Sequence, residues 1–200
     1  MNRRDVLAGA AALAASPALA QAPTGPARVA LETREGRIVF EVRTDKAPIT
    51  GGNFLRYVDA KRYDGAKFYR ASRAPTMPQI GLVQGGLQND PAKLFPPIAH
   101  ESTAKTGLSN KDGWVSIARW APGTATADFF ICVGDQTYLD ANPSASGDNQ
   151  GFAVFAQVVE GMDVVKKILA LPTNPTAGTG AMKGEMLDPP VIILTARRAP

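Results

Sequence analysis

Hydrophobic and polar residues alternate along the chain in short runs from residue 28 onward. Alternation with period two is typical of half-buried β-strands, and the Gly and Pro residues that separate the runs mark turns. Two alternating runs flank Arg34-Glu35-Gly36, which indicates a hairpin. The pattern predicts strands over 29–33, 37–42, 66–70, 82–84, 114–118, 129–133, 152–159 and 191–194.

Two segments instead show the three-to-four-residue spacing of apolar positions that an amphipathic helix requires. In the segment 53–58 the apolar residues share one face, and Pro48 suits the first turn of that helix. The segment 162–169 carries a second apolar stripe and ends before Pro172, where a helix cannot continue. Short strands and two helices together predict a mainly β domain, a closed barrel with helices at its ends.

The remaining segments are rich in turn-forming residues and are predicted as loops. They are 71–81, 87–111, 119–127, 134–151 and 172–190. Loops of this length in a compact domain are usually functional, so we expect the site among them.

The first 20 residues have the character of an export signal. Arg3 and Arg4 precede a weakly apolar, Ala-rich stretch, and Ala18-Leu19-Ala20 offers a signal-peptidase site before Gln21. A short Ala-rich helix of the domain is the alternative, but the stretch has no polar face. The arginine pair resembles a twin-arginine signal imperfectly, so both that route and Sec export stay open. We expect a signal peptide at 1–20, a flexible mature N-terminus at 21–27, a folded domain at 28–200, and a periplasmic location.

Composition and charge exclude several classes of function. The net charge of +4 comes from scattered basic residues, which argues against a nucleic-acid site. No apolar stretch of about 20 residues is present, so we expect no membrane span. Cys132 is alone and lies in an apolar run, which predicts a buried, inert thiol and no internal disulfide. His100 is the only histidine, so we expect no metal, no cofactor and no covalent catalysis. No pattern in the chain indicates an oligomer, and a monomer is the default expectation.

Three motifs in chain order are more specific than the pattern. The first begins at Ala47-Pro48-Ile49-Thr50 and ends at Phe68-Tyr69-Arg70, the second is Val83-Gln84-Gly85-Gly86, and the third begins at Phe129-Phe130-Ile131 and ends in Glu160-Gly161-Met162. Together they span about 28–197, and this region resembles the cyclophilin family of peptidyl-prolyl cis/trans isomerases, in particular its exported bacterial members. The resemblance implies a closed eight-stranded antiparallel barrel capped by two α-helices. It also implies rotation about the peptide bond that precedes proline.

The resemblance assigns roles to individual residues. Arg70 corresponds to the catalytic arginine and Gln84 to the glutamine that orients it, although each could be an ordinary polar residue of a strand. Residues implied in substrate binding are Leu82, Ala118, Arg119, Asp128, Phe130, Tyr138, Leu139 and Phe152. Ala118 and Arg119 correspond to the strand along which the peptide lies. The implied partners are proline-containing polypeptides, with cyclosporin-type macrocycles as candidate further ligands.

The sequence also departs from the family pattern. The segment 71–83 is several residues longer, and the phenylalanine that walls the proline pocket aligns with Gly81. Either Ile80 or Met77 fills that gap, or the proline pocket is shallower. Asp128 replaces a glutamine, and an ionised aspartate only accepts hydrogen bonds, so it could pair with Arg70 or another cation instead.

Three functions therefore stay open from the sequence. The first is an isomerase that assists the folding of exported polypeptides. The second is a weakly active or inactive binding module or chaperone on the same fold, and the third is a small β-barrel with an unrelated ligand.

Overall fold

The computed structural model describes residues 26–200, so the predicted signal peptide 1–20, its cleavage site and nearly all of 21–27 lie outside the described residues. The strands are β1 (Ala27–Thr33), β2 (Gly36–Val42), β3 (Lys67–Ala74), β4 (Met77–Gly86), β5 (Trp114–Ile117), β6 (Phe129–Val133), β7 (Val154–Glu160), β8 (Thr173–Asn174) and β9 (Met186–Ala199). The helices are α1 (Pro48–Asp59), α2 (Thr103–Thr106) and α3 (Met162–Ala170).

Eight of these strands close into an antiparallel barrel. Neighbouring strands follow the order β1, β2, β7, β5, β6, β4, β3 and β9, and the pairing of β9 with β1 closes the ring. The two-residue β8 adds to β9. The predicted eight-stranded barrel with two capping helices is thus confirmed, with α2 as a single additional turn. None of the helices in residues 26–200 is long and apolar enough to cross a membrane.

The barrel interior is filled by aromatic rings centred on Phe129. This ring packs edge-on against the rings of Phe40, Phe54, Tyr63 and Phe68, with centroids 5.7–5.8 Å apart. Edge-to-face packing at this distance is the favoured aromatic geometry. One strand therefore supplies the centre of the core while its alternate residues face outward.

Helix α1 depends on a buried carboxylate for its beginning. The helix has no capping side chain of its own, and glycines at 51 and 52 weaken it. Glu101 is buried, and its carboxylate accepts from the backbone N–H of Ile49 at 3.1 Å and of Thr50 at 2.6 Å. A negative charge at a helix N-terminus is favourable because of the helix dipole. A long loop thus stabilises a helix that its sequence alone supports weakly.

The prediction of a loop over 71–81 is wrong. Strands β3 and β4 continue through this segment as a hairpin, in which Arg73 pairs with Gly81 and Ser72 with Leu82. The hairpin is fixed to the end of α3, because the Arg73 guanidinium donates to the carbonyl of Leu169 at 2.6 Å. The extra residues therefore lengthen two strands instead of forming a mobile loop.

The last strand is also longer than the predicted 191–194. Strand β9 pairs with β3 through Val191 opposite Phe68 and Met186 opposite Arg70, with a bulge between these pairs. Pro189 and Pro190 lie in the irregular part, where no ladder hydrogen bond from their nitrogens is needed. In the sequence the two prolines predict a loop, but the bulge accommodates them within the strand.

Candidate functional site

A row of side chains crosses three neighbouring strands on the outer face of the barrel. Arg70 on β3 lies opposite Gln84 on β4, and Gln84 lies opposite Phe130 on β6. Val83 and Phe129, the neighbours of the last two residues, point into the core. Side chains alternate across a strand, so the sheet register places the three residues side by side.

This row forms the floor of an open cavity of about 570 Å³. The walls come from the loops after β4, β5 and β6 and from the segment that precedes β9. The lining residues are Tyr69, Arg70, Leu82, Gln84, Gln88, Asn89, Ala118, Arg119, Trp120, Thr124, Asp128, Phe130, Leu139, Phe152, Thr179, Gly180, Ala181, Met182 and Met186.

The structure brings together all but one of the site residues suggested by the sequence. The exception is Tyr138, whose side chain is 76% exposed and does not line the cavity. Tyr138 and Leu139 share a single 3₁₀ turn, Thr137–Leu139, in which only Leu139 reaches the cavity. Ala118 lies just beyond the end of β5, and its N–H donates to the carbonyl of Asp128 at 2.7 Å.

Arg70 is held on two sides by hydrogen bonds. Its Nη1 donates to Oε1 of Gln84 at 2.8 Å, and its Nε donates to Oε2 of Glu185 at the same distance. Gln84 in turn donates through Nε2 to the hydroxyl of Tyr69 at 2.7 Å, which fixes the orientation of its amide. Burial raises the pKa of the Tyr69 phenol, so Tyr69 stays neutral. The guanidinium is therefore presented to the cavity in one orientation.

Among the described residues Asp128 forms an ion pair neither with Arg70 nor with another cation, so that hypothesis is wrong. Its two carboxylate oxygens accept from the backbone N–H groups of Gln88 at 2.9 Å and Asn89 at 3.1 Å. Burial raises the pKa of this carboxyl, and the backbone hydrogen bonds oppose that shift. Asp128 thus holds the loop after β4 against the cavity.

Arg119 is also engaged within the protein. Its Nε donates to the carbonyl of Gly151 at 3.1 Å, and its guanidinium pairs with Asp148. The guanidinium carbon lies 5.1 Å from the ring centroid of Phe152, which packs edge-on against Phe130 at 5.3 Å. In this arrangement Arg119 fixes the aromatic wall of the cavity.

The sequence did not indicate the wall formed by Met182 and Met186. Neither Ile80 nor Met77, the residues expected to compensate for Gly81, lines the cavity. Ile80 packs beside Gly134, and Met77 lies at the exposed end of the hairpin. The only sequence signal for this wall was the presence of two methionines in a Gly-rich, polar segment. The other residues that line the cavity are remote from them in sequence.

Cys132 is fully buried, as predicted, and burial raises the pKa of its thiol to about 12. It is therefore protonated and unreactive at neutral pH. Within residues 26–200, no three His, Cys, Asp or Glu side chains converge as ligands for a metal ion.

The chain resembles known proteins over most of its length. Residues 28–197 match the family model described as "Cyclophilin type peptidyl-prolyl cis-trans isomerase/CLD". The chain is 40% identical over 147 residues to peptidyl-prolyl cis-trans isomerase B of Escherichia coli, covering 73% of this chain and 86% of that protein. It is 35% identical over 147 residues to a peptidyl-prolyl cis-trans isomerase of Acinetobacter baylyi, covering 73% of each chain.

A solved structure has the same fold. It is the crystal structure of a Cryptosporidium parvum cyclophilin type peptidyl-prolyl cis-trans isomerase in the presence of the dipeptide Ala-Pro. The TM-score is 0.63 at 18% identity, and the match covers 86% of this chain and 99% of the other.

Proposed function

The chain belongs to the cyclophilin family of peptidyl-prolyl cis-trans isomerases and is an enzyme of that class, and on this premise we propose that Arg70 is its catalytic residue and Gln84 the residue that positions it. The substrates are proline-containing segments of exported polypeptides. The observation that carries the assignment is the 2.8 Å hydrogen bond between these two side chains beside an otherwise largely apolar cavity.

The reaction requires the prolyl amide to lose its double-bond character, which opposes rotation with a barrier of about 18–20 kcal/mol. Each terminal nitrogen of an arginine carries two N–H groups, so after binding Gln84 and Glu185, both nitrogens of Arg70 keep a donor for substrate. A hydrogen bond to the prolyl nitrogen favours its pyramidal, single-bonded form. The proline ring meanwhile packs on Phe130, between Leu82 and Leu139.

Arg70 supplies only part of the acceleration. One charge-assisted hydrogen bond contributes about 1.5–3 kcal/mol, whereas a millionfold acceleration needs about 8 kcal/mol. The remainder comes from removing the peptide bond from water and from binding the peptide in a twisted conformation.

The test is the cis/trans exchange rate of a short Ala-Pro peptide, measured by NMR with wild type, Arg70→Ala and Arg37→Ala. Arg37 is a matched control, because it forms ion pairs on the barrel surface with Glu32 and Glu160 and does not line the cavity. We expect acceleration by wild type and by the control, and a loss of about 100-fold in kcat/KM for Arg70→Ala. Equal rates for all three proteins would refute the role of Arg70. The absence of acceleration by wild type would refute catalysis of this reaction.

We propose that this isomerase acts in the periplasm. The support is the order of features in the first 20 residues, in which an arginine pair, an Ala-rich stretch and Ala18-Leu19-Ala20 follow one another. The full chain, expressed in a Gram-negative host, should be recovered from the periplasmic fraction with Gln21 as its first residue. Replacement of Arg3 and Arg4 by lysine should block export by the twin-arginine route and leave Sec export intact. Recovery of uncleaved protein from the cytoplasm would refute the proposal.

A further inference from the structure

Glu185 lies just before β9 and uses both carboxylate oxygens within the protein. Its Oε2 accepts from Nε of Arg70 at 2.8 Å and lies 2.7 Å from Nη2. Its Oε1 accepts from the hydroxyl of Ser72 at 2.7 Å. Ser72 and Arg70 are two residues apart on the same strand, so the carboxylate bridges side chains on one face of β3.

The main chain holds Glu185 in the same place. The carbonyl of Glu185 accepts from the N–H of Ala71 at 2.9 Å, midway between the two residues that its side chain contacts. Both side chains of the Arg70–Glu185 pair are mostly buried, with 18% and 25% exposure. Water therefore competes weakly for these hydrogen bonds, and the pair persists better than an exposed one.

Glu185 and Gln84 together leave the arginine little freedom. Gln84 holds Nη1, while Glu185 holds the opposite edge formed by Nε and Nη2. An arginine side chain loses much rotamer freedom when its fork is fixed, and a group fixed before substrate binds does not have to be ordered in the transition state. Glu185 does not line the cavity itself, so it acts on the substrate only through Arg70.

We propose that Glu185 is a positioning residue for Arg70, which complements Gln84 on the opposite edge of the guanidinium. This inference rests on the proposed role of Arg70. It also explains how the segment before β9 contributes to the reaction. Met182 in the same segment and Met186, the first residue of β9, line the cavity wall, so adjoining residues of the chain set both the wall and the orientation of the arginine.

The test compares Glu185→Gln with wild type in the Ala-Pro exchange assay, over a range of peptide concentrations that separates kcat from KM. Glutamine keeps the length of the side chain and removes its charge. We expect kcat to fall about tenfold. KM should change by less than about twofold, since the hydrogen bond from Arg70 to the prolyl nitrogen is made in the transition state. The ¹⁵Nε resonance of Arg70 should shift as well, which reports the ion pair independently of activity.

A double variant distinguishes positioning from a structural role. In an Arg70→Ala background, Glu185→Gln should cause no further loss of kcat, because its effect passes through the arginine. A structural role would reduce the residual activity in that background too. Asp59→Asn is the matched control, since it breaks a carboxylate–arginine pair with Arg198 that is half exposed and outside the cavity. It should leave kcat unchanged.

Ser72→Ala provides a second route if Glu185→Gln does not fold. This change removes one support of the carboxylate and retains its charge, so kcat should fall about threefold. An unchanged kcat in a folded Glu185→Gln or Ser72→Ala variant would overturn the inference while wild type remains active. If wild type itself does not accelerate exchange, the proposed function fails instead, and the two failures are thereby distinguished.

Discussion

A substitution at Gly81 tests whether the hairpin of β3 and β4 has the geometry described above. A Cβ atom at this position would lie 1.9 Å from the carbonyl oxygen of Ser72 and 3.0 Å from Cα of Arg73. Carbon and oxygen atoms normally approach no closer than about 3.3 Å, so the two atoms would have to separate by about 1.4 Å. The obstructing atoms belong to the backbone and cannot rotate away. Gly81→Ala should therefore weaken the cross-strand hydrogen bonds as well as the packing.

We expect Gly81→Ala to lower the free energy of unfolding by about 2–4 kcal/mol, which combines the cost of overpacking with one or two weakened hydrogen bonds. Urea unfolding followed by circular dichroism measures this change. Gly52→Ala is the matched control, because it lies in α1 and an added Cβ meets no atom within 4 Å. The control should gain about 0.5–1 kcal/mol, since alanine favours the helix.

The result that would refute this reasoning is a Gly81→Ala variant within about 0.5 kcal/mol of wild type. Such tolerance would mean that the strands are not closely paired at this point. A strong loss would show why phenylalanine, the residue expected there from the family pattern, cannot be restored in this chain without moving the hairpin. Because Gly81 precedes Leu82 and Gln84 on the same strand, the exchange assay should also report a lower kcat/KM.

Two further predictions concern the barrel and its acid stability. Phe129→Ala removes the ring on which four other aromatic rings pack, so it should lower the free energy of unfolding by about 3–5 kcal/mol in urea; a loss below about 1 kcal/mol would contradict the central position of this ring in the core. The hydrogen bond from Arg197 lowers the pKa of Asp64, so the stability from this pair is present above the usual carboxyl pKa and is lost as pH falls through the lowered pKa. Asp64→Asn should therefore reduce the melting temperature more at pH 6 than at pH 2, and an equal reduction at both would show that charge is not the cause.

Much of the fold could be predicted from local patterns. Alternation of apolar residues depends only on neighbours in the chain. For seven of the eight barrel strands, at least one predicted end lies within a few residues of the observed end. Spacing of apolar residues located α1 and α3 in the same way. The prediction was weakest around the segments 71–81 and 186–190, where Pro and Gly indicate turns but strand pairing and a bulge accommodate them.

The candidate site also contains both residues that the sequence indicates and residues that only the structure reveals. Arg70, Gln84 and Phe130 belong to short motifs with distinctive neighbours, so they could be named from the sequence and lie in one row in the structure. Glu185 could not be named from the sequence, because it lies 115 residues from Arg70 in the chain and has no motif around it.

The sequence by itself indicated most of the strands and the two main helices, because these depend on residue type and local spacing, and its resemblance to the cyclophilin family pointed to Arg70. Only the tertiary structure decided what surrounds the arginine. The closure of the barrel brings β9 beside β3, and this pairing places Glu185 on the guanidinium and Met182 and Met186 in the cavity wall. The pairing of Gly81 with Arg73 turned an apparent loop into a hairpin. Contacts between distant segments follow from packing and register, and one stretch of sequence contains neither.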